Sequence, residues 1–234
     1  KRGVRYAKDL NVQKCKSCHL TYLWPQPSDQ RLNEFYANEY RAVYSDPVPE
    51  ERYDADIAEA QLRVTRLSPS LSLKSKILEI GSGSGAFLTS IESNVQEVVG
   101  VEMDEPSRKW FSNISTIPVY HSLKKVPPNH KFDMIVAFHV LEHLADPITF
   151  LKALAQRLTK NGMIVIEVPN INDALLSLYK IKEFEEFYFS IAHLIYFNSE
   201  TLTKCAESAF LTGHISGLQR YDLSNHIFWA LNKK

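Results

Sequence analysis

Apolar residues recur along the chain with two different spacings, and from residue 76 onward the two spacings alternate. Short runs of aliphatic and aromatic residues predict strands at 76–80, 98–102, 117–120, 132–138 and 162–168. Between these runs, apolar residues three or four positions apart predict helices at 86–93, 106–113 and 147–158. This alternation is typical of a mostly parallel sheet covered by helices on both faces, so the sequence predicts an α/β fold.

The segments on either side of this alternating region have a different character. Before it, residues 50–68 predict an amphipathic helix that ends at Ser68-Pro69-Ser70. After it, residues 175–189 form an aromatic-rich insert, and Ser199 caps a predicted helix that runs to residue 210. Two final apolar patterns, near 213–220 and 225–231, predict strands.

Composition narrows the class of protein. The chain has 234 residues and is 44% hydrophobic, which is enough for one main domain with a sizeable core. Lysine plus arginine equals aspartate plus glutamate at 27 each, which argues against nucleic acid as the main partner. No apolar run is long enough to span a membrane and no signal peptide is evident. Three cysteines are too few for a disulfide framework, so we expect a cytoplasmic protein.

A glycine turn follows the first strand of the alternating region. Its sequence is Glu79-Ile-Gly81-Ser-Gly83-Ser-Gly85, and an apolar helical pattern begins directly after it. Glycine permits positive φ and has no Cβ, so the backbone can approach a ligand whose polar groups meet the N–H donors that open the helix. The turn therefore predicts a binding site for a nucleotide-like cofactor.

Two classes of cofactor fit the spacing of this turn. Gly81-x-Gly83-x-x-Ala86 satisfies the dinucleotide fingerprint, and Glu102 lies about 20 residues further on, where a ribose-binding acid is expected. Glu79, however, places a carboxylate in the strand just before the turn, which suits a ligand with a cationic end and would repel a pyrophosphate. An NAD-dependent oxidoreductase stays open as an alternative.

Two blocks of the sequence together resemble the class I S-adenosylmethionine-dependent methyltransferases. The first block is the glycine turn with Glu79 before it and Glu102 at the end of the next strand. In the second, Asp133 opens a buried strand that leads into HVLEHLADP at 139–147. This block is similar to the fourth motif of small-molecule methyltransferases such as the ubiquinone-pathway O-methyltransferases.

The resemblance implies a specific fold and activity. The fold would be a Rossmann-like seven-stranded sheet, mostly parallel with an antiparallel last strand, with helices on both faces. S-adenosylmethionine would be the methyl donor and S-adenosylhomocysteine the product. The acceptor would be a small molecule, such as a sugar or another biosynthetic intermediate, methylated on oxygen, nitrogen or carbon. A non-catalytic protein that binds S-adenosylmethionine for regulation is a second alternative.

The resemblance also assigns the cofactor contacts. The glycines would approach the methionine and ribose portions, Glu102 would accept the ribose hydroxyls, and Met103 would pack on the adenine. His121-Ser122-Leu123 stands where many relatives have an aspartate at the adenine edge, so Ser122 or backbone amides would replace it. The complete predicted set is Glu79, Gly81, Ser82, Gly83, Gly85, Phe87, Glu102, Met103, Ser122, Leu123, Phe138 and His139.

Three histidines are candidate catalytic bases, because imidazole has an unperturbed pKa near neutrality. His139 follows the fourth strand directly, where its side chain would face the transferred methyl group. His193 resembles the histidine of an acid–histidine pair in sugar C-methyltransferases, although the acid position is Ala192 here. For His143, a structural role in orienting the loop is the alternative to catalysis. A base is needed only if the acceptor loses a proton.

Aromatic residues supply the predicted acceptor contacts. Tyr36, Tyr40 and Tyr44 recur at every fourth position, which places three phenols on one helical stripe. They either pack an N-terminal helix on the core or cover the acceptor. Tyr196, beyond the aromatic insert, is a further predicted acceptor contact.

A cysteine pair marks the N-terminal segment. Cys15-Lys-Ser-Cys18-His19 offers two thiolates and one histidine, whereas a tetrahedral zinc site needs four ligands, so Cys15 and Cys18 predict half a zinc site. The segment resembles the second half of a zinc-binding region that precedes some sugar C-methyltransferases. We therefore expect an N-terminal segment at 1–45 and a methyltransferase domain at 46–234, with an acceptor-side insert near 171–198.

Overall fold

The computed structural model describes residues 4–5, 7, 9–35, 49–220 and 222–231. The chain divides into two compact units that are interleaved in sequence. The sheet unit comprises Glu34–Val140 and Ala153–Glu167, and the flanking unit comprises Lys1–Asn33, Leu141–Lys152 and Val168–Lys234. The predicted tyrosine stripe, Tyr36, Tyr40 and Tyr44, lies outside the described residues and stays a prediction.

The described residues form eight strands and nine α-helices. The strands are β1 (Asn11–Lys14), β2 (Thr21–Trp24), β3 (Lys76–Ile80), β4 (Glu97–Val101), β5 (Val119–Tyr120), β6 (Phe132–Phe138), β7 (Leu158–Glu167) and β8 (Ile195–Tyr196). The helices are α1 (Asp29–Glu34), α2 (Pro49–Leu67), α3 (Ala86–Ile91), α4 (Glu105–Ile114), α5 (Pro147–Ala155), α6 (Ala174–Ser177), α7 (Lys182–Tyr188), α8 (Ser199–Ser208) and α9 (Leu223–Leu231). None of these helices combines the length and apolar character that crossing a membrane requires.

The sheet unit is built on one parallel sheet. Its five strands are ordered β5-β4-β3-β6-β7, and every neighbouring pair is parallel. The chain therefore moves outward from β3 first in one direction and then in the other. In sheets of this kind, ligands bind at the carboxyl ends of the strands where the order reverses, which here is the end of β3. The Rossmann-like α/β fold predicted from the sequence is confirmed.

The core of the sheet unit consists of the central strands and the helices that pack on them. Ile77, Leu78, Met134 and Ile135 are almost completely buried, which explains why their strands are continuous apolar runs without alternation. Helices α2, α3 and α4 contribute to the same cluster of buried side chains. At the start of α4, Asp104 accepts a hydrogen bond from the backbone N–H of Ser107 at 2.8 Å and so caps the helix.

The flanking unit contains a small antiparallel sheet and the aromatic insert. Strands β1, β2 and β8 form this sheet in that order. The insert folds into α6 and α7, and its buried aromatic side chains pack edge to face or tilted against each other, with ring centroids of Tyr188, Phe189 and Tyr196 between 4.9 and 5.7 Å apart. These aromatic residues form the core of the flanking unit.

The prediction of two C-terminal strands is wrong. Residues 213–220 have no regular structure, and the residues expected to form the last strand lie in α9. Asp222 accepts hydrogen bonds from the backbone N–H of Asn225 at 3.1 Å and from the Ser224 hydroxyl, so it starts a helix at this point. Leu223, Ile227 and Leu231 recur at every fourth position, which is the helical spacing. A seven-stranded sheet is therefore not confirmed, since the described parallel sheet has five strands.

Candidate active site

The glycine turn has the conformation that its sequence predicts. Gly81, Gly83 and Gly85 have φ angles of 72°, 52° and 80°, which side chains with a Cβ rarely adopt. A Cβ at Gly85 would lie 2.2 Å from the Phe111 ring, so packing also excludes any side chain there. At Gly83 the nearest atom to a Cβ would be an Arg52 nitrogen at 3.8 Å. A Cβ there would make ordinary van der Waals contact with Arg52, so at Gly83 the positive φ, and not packing, favours glycine.

Glu102 is fixed beside this turn by hydrogen bonds. Its Oε2 accepts the N–H of Gly83 at 2.7 Å, and its Oε1 accepts the N–H of Asp104 at 2.7 Å. The turn is also joined to the end of β4 through Val101, whose carbonyl accepts the N–H groups of Gly81 and Ser82 at 2.7 and 3.1 Å. The carboxyl ends of β3 and β4 thus bring together the glycine turn and the predicted ribose-binding acid.

Glu79 is a buried acid with an unused acceptor atom. Its side chain is 4% exposed, and its Oε2 has no hydrogen-bond partner among the described residues. Burial raises the pKa of Glu79 well above its usual range; Arg63 lowers this pKa, whereas the negative charges of Glu102 and Asp56 raise it further. A cationic ligand group would both satisfy this oxygen and favour the ionised carboxylate.

His139 is paired with a carboxylate in the sheet unit. Its Nε2 lies 3.1 Å from Glu167 Oε1, and its backbone N–H donates to the Glu167 carbonyl at 2.8 Å. Arg63 donates from Nε and Nη2 to the two oxygens of Glu167 at 3.1 and 3.0 Å, and from Nη2 to Glu59 at 2.8 Å. Burial, the largest single influence, raises the pKa of Glu167, but the bonds from His139 and Arg63 outweigh it and hold the pKa at about 2. Glu167 is therefore an anion that orients His139.

Sequence reasoning missed Glu59, Arg63 and Glu167. One local signal was present for Glu167, because it is an acid near the end of an otherwise apolar strand, as Glu79 is. Arg63 had no such signal, since a charged residue on an amphipathic helix is most often solvated. Its guanidinium instead lies 4.2 Å from the centre of the Phe138 ring, over a residue that was predicted to contact the cofactor.

The other two predicted histidines lie together in the flanking unit. The rings of His143 and His193 are 4.9 Å apart and inclined by 71°. His143 Nδ1 lies 2.7 Å from the carbonyl oxygen of Ala192, and His143 Nε2 lies 4.0 Å from Glu142 Oε1. Glu142 is 2% exposed. Tyr196 is also buried here, and its hydroxyl donates to the Ser190 carbonyl and accepts the Ser190 N–H.

The remaining predicted cofactor contacts differ in how exposed they are to solvent. Met103 is 74% exposed, Ser122 and Leu123 are half-buried at the start of a 3₁₀ turn, and Phe87 is buried against Phe138 at a ring distance of 5.1 Å. The exposed Met103 side chain is accessible to a ligand, whereas the Phe87 side chain is buried in the core of the sheet unit.

The cysteine pair forms a tight turn after β1. The N–H of Cys15 donates to the Leu20 carbonyl at 2.8 Å, and the N–H of His19 donates to the Cys15 carbonyl at 3.1 Å. Hydrogen bonds from the backbone of Cys18 and Ser17 lower the pKa of the Cys15 thiol. Both cysteines are free thiols, and no group of three or more metal ligands within the described part of the chain includes them. The zinc half-site stays a prediction.

The fold and the turn define the class of this protein as a Rossmann-like α/β protein with a glycine turn at the end of the central strand. A family model described as a methyltransferase domain matches residues 51–212. The chain therefore belongs to the methyltransferase domain family, and the family predicted from the sequence motifs is confirmed.

Individual relatives agree with this assignment. The chain is 27% identical to the ubiquinone biosynthesis O-methyltransferase of Bradyrhizobium diazoefficiens, over 42% of this chain and 41% of that protein. It is 31% identical to the tRNA U34 carboxymethyltransferase of Campylobacter lari, over 43% of this chain and 38% of that protein. It is similar to the crystal structure of a SAM-dependent methyltransferase from Archaeoglobus fulgidus, with 26% identity and a TM-score of 0.54. The match covers 68% of this chain and 71% of that protein. The matched regions span about two fifths of the length of the two curated relatives.

Proposed function

We propose that this protein transfers a methyl group from S-adenosylmethionine to a small-molecule acceptor and releases S-adenosylhomocysteine. Membership of the methyltransferase domain family supports the reaction. The single observation that carries the choice of cofactor is Glu79, a buried carboxyl whose Oε2 has no hydrogen-bond partner among the described residues and which immediately precedes the glycine turn.

The residues around the turn suit this cofactor. S-adenosylmethionine supplies a methyl group that its positively charged sulfur has already activated. Glu79 would bind the cationic methionine end, directly or through water. Each oxygen of Glu102 accepts one N–H and retains further acceptor capacity, so the carboxylate could also accept the ribose hydroxyls. Gly83 would let the backbone approach the ribose, and Met103 would cover the adenine.

The main task of the protein in methyl transfer is alignment. Holding the acceptor atom in line with the methyl group can contribute roughly 7–11 kcal/mol to lowering the barrier. The elements that would do so begin at the carboxyl ends of β3, β4 and β6, which are neighbours in the sheet. The glycine turn, Glu102 and His139 each follow one of these strands.

His139 is the best-supported base among the three candidate histidines. Glu167 holds the Nε2 side of its ring, so in the neutral tautomer with hydrogen on Nε2 the lone pair is on Nδ1. Proton transfer from an acceptor hydroxyl or amine to Nδ1 would create an imidazolium, which the Glu167 anion stabilises. This arrangement favours methylation of oxygen or nitrogen, where a proton must leave. Arg63 keeps Glu167 ionised throughout.

The acceptor is proposed to be a sugar or a related biosynthetic intermediate, with Tyr36, Tyr40 and Tyr44 as candidate contacts. Tyr196 fits a packing role better, because its hydroxyl is bonded on both sides to the backbone of Ser190. One of the relatives acts on tRNA, as its name states, so an RNA acceptor belongs among the substrates to be tested.

Calorimetry with S-adenosylmethionine, S-adenosylhomocysteine and NAD tests the cofactor. We expect the two sulfur ligands to bind and NAD not to, since the carboxylates around the turn oppose a pyrophosphate. Binding of NAD without binding of either sulfur ligand would overturn the proposal in favour of an oxidoreductase.

A second experiment tests turnover. The protein is incubated with S-adenosylmethionine and separate pools of nucleotide sugars, phenols and tRNA, and S-adenosylhomocysteine is measured. Formation of S-adenosylhomocysteine that depends on a small-molecule pool supports the proposal. Formation with tRNA alone would show that the acceptor is RNA and not a small molecule. Tight cofactor binding without product from any pool would favour a regulatory protein.

A further inference from the structure

We propose that Glu142, His143 and His193 form a binding site for a divalent transition-metal ion such as Zn²⁺ or Co²⁺. This site lies entirely within the flanking unit, and its ligand group does not include Cys15 or Cys18. It goes beyond the proposed methyl transfer, and its existence can be tested without any measurement of activity.

The three side chains converge at ligand distance. One potential ligand atom from each of them lies within 4.8 Å of the others. His143 Nε2 and Glu142 Oε1 are 4.0 Å apart. Tetrahedral coordination with bonds of about 2.0–2.1 Å separates ligand atoms by roughly 3.4 Å. Side-chain rotations that shorten the distances between these ligand atoms by about 1 Å would therefore complete the coordination geometry.

Backbone hydrogen bonds hold the ligand-bearing segments together. The N–H of Leu194 donates to the Glu142 carbonyl at 2.8 Å, which joins the residue after His193 to the main chain of Glu142. The N–H of His193 donates to the Ser190 carbonyl at 3.1 Å. The two segments are far apart in sequence, so main-chain bonds and not local spacing bring their side chains together.

The orientation of His143 suits a metal ligand. Its Nδ1 lies 2.7 Å from the Ala192 carbonyl oxygen, which can only accept, so Nδ1 carries a hydrogen. In the neutral ring, Nε2 then has the lone pair. Imidazoles that bind metal ions usually donate their other N–H to a carbonyl or carboxylate in this manner, because that bond fixes the tautomer and the ring orientation.

The buried carboxylate of Glu142 would be stabilised by a bound cation. Both of its carboxylate oxygens and Nδ1 of His193 are buried. A buried carboxylate is stabilised by a positive charge that it contacts directly. Two imidazoles and one carboxylate suit borderline metals such as Zn²⁺ and Co²⁺ better than Ca²⁺ or Mg²⁺, which prefer oxygen ligands alone. Three protein ligands also leave at least one coordination position for water or an oxygen-bearing ligand.

A second group of similar composition is a weaker candidate. Glu59, His139 and Glu167 also place ligand atoms within 4.8 Å of one another. There, however, the Arg63 guanidinium lies 2.8–3.1 Å from both carboxylates and already supplies the positive charge. A metal ion at that position would compete with a bidentate ion pair.

Cobalt absorption and zinc calorimetry test the proposed site. The whole chain is stripped with a chelator and titrated with Co²⁺, whose visible spectrum reports its ligands, and then with Zn²⁺. We expect one site of nitrogen and oxygen ligands. Glu142→Gln and His193→Gln should each weaken binding at least tenfold. His214→Gln, a change at an exposed histidine, is the matched control and should leave binding unchanged.

The cysteine pair is excluded by a separate variant. Replacing Cys15 and Cys18 with serine together should leave the cobalt spectrum intact, and the wild-type spectrum should lack thiolate charge-transfer bands. Thermal unfolding of each metal-free variant checks that it is folded, and Zn²⁺ should raise the melting temperature of the wild type by more than that of Glu142→Gln.

Three results would overturn the metal site. The first is failure of the folded wild type to bind either ion. The second is unchanged binding by both Glu142→Gln and His193→Gln. The third is loss of the signal in the cysteine variant. If Glu142→Gln does not fold, the decision rests on His193→Gln and on His143→Gln, which removes the Nε2 ligand. None of these outcomes bears on whether the protein transfers methyl groups.

Discussion

Replacing Glu79 with glutamine would remove a negative charge from the buried end of β3 and keep the size of the side chain. If Glu79 binds the cationic end of S-adenosylmethionine, the variant loses a hydrogen bond to a charged group, which contributes about 1.5–3 kcal/mol. The dissociation constant should then rise roughly 10- to 140-fold. The glycine turn and Glu102 are left in place, so binding should be weakened but not abolished.

Although Glu79→Gln should weaken cofactor binding, it should not lower the unfolding free energy of the ligand-free protein. Burial raises the pKa of Glu79 in the folded state above the usual 4.5. Ionising this carboxyl therefore costs stability, and the cost grows as the pH rises above the unfolded-state pKa until the folded-state pKa is passed. Glu79→Gln has no such cost. Its unfolding free energy at neutral pH should equal or exceed that of the wild type.

Calorimetry in two buffers with different ionisation enthalpies measures both effects of the charge. Because the cationic ligand favours the ionised carboxylate, the wild type should release a proton from Glu79 on binding, and the glutamine variant should not. Glu97→Gln is the matched control, since this acid on neighbouring β4 is paired with Lys76 and His130. Equal affinity and equal proton release in wild type and Glu79→Gln would refute the role of Glu79.

Three further predictions concern stability and catalysis. Gly85→Ala should lower the unfolding free energy, measured by urea denaturation, by about 2–5 kcal/mol, because the residue has a φ of 80° and its Cβ would lie 2.2 Å from the Phe111 ring. The control Gly217→Ala, where a Cβ would meet no atom, should change the unfolding free energy by under about 0.5 kcal/mol. Equal effects of the two substitutions would contradict the packing described at Gly85. Because its pKa is lowered from 4.5 to about 2, Glu167 should contribute about 3 kcal/mol to the unfolding free energy above pH 4.5, and this contribution should be lost as the pH falls toward 2. Denaturation of Glu167→Gln, measured across that pH range, should lack this acid dependence. An unchanged acid dependence in the variant would disprove the stabilising pairing. His139→Gln should lower kcat about 10²- to 10⁴-fold and remove the acidic limb of the pH–rate profile, and a retained limb would exclude His139 as the base.

Much of the candidate cofactor site is visible in the sequence because it is built from local signals. The strand before the turn, the glycines and the helix after it are contiguous, and their conformations follow from φ preferences and apolar spacing within a few residues. Glu102 ends the next strand, and parallel strands place their carboxyl ends at the same edge. The sequence did not predict the C-terminal helix because short apolar runs fit both spacings, and only the folded chain shows that Asp222 accepts the capping hydrogen bond from Asn225.

The sequence by itself determined the family, the parallel sheet and the glycine turn at the end of β3, because each depends on short-range conformational preference and on the order of elements along the chain. Only the tertiary structure decided which charged groups meet. Arg63 reaches Glu167 across 104 residues of sequence, and Glu142 joins the segment of His193 through a main-chain bond. Such pairings depend on how helices and strands pack, and the spacing of residues along the chain carries no information about them. In the proposed function the turn binds the cofactor, and the charged groups that packing brings together within each unit would decide the proton and metal chemistry.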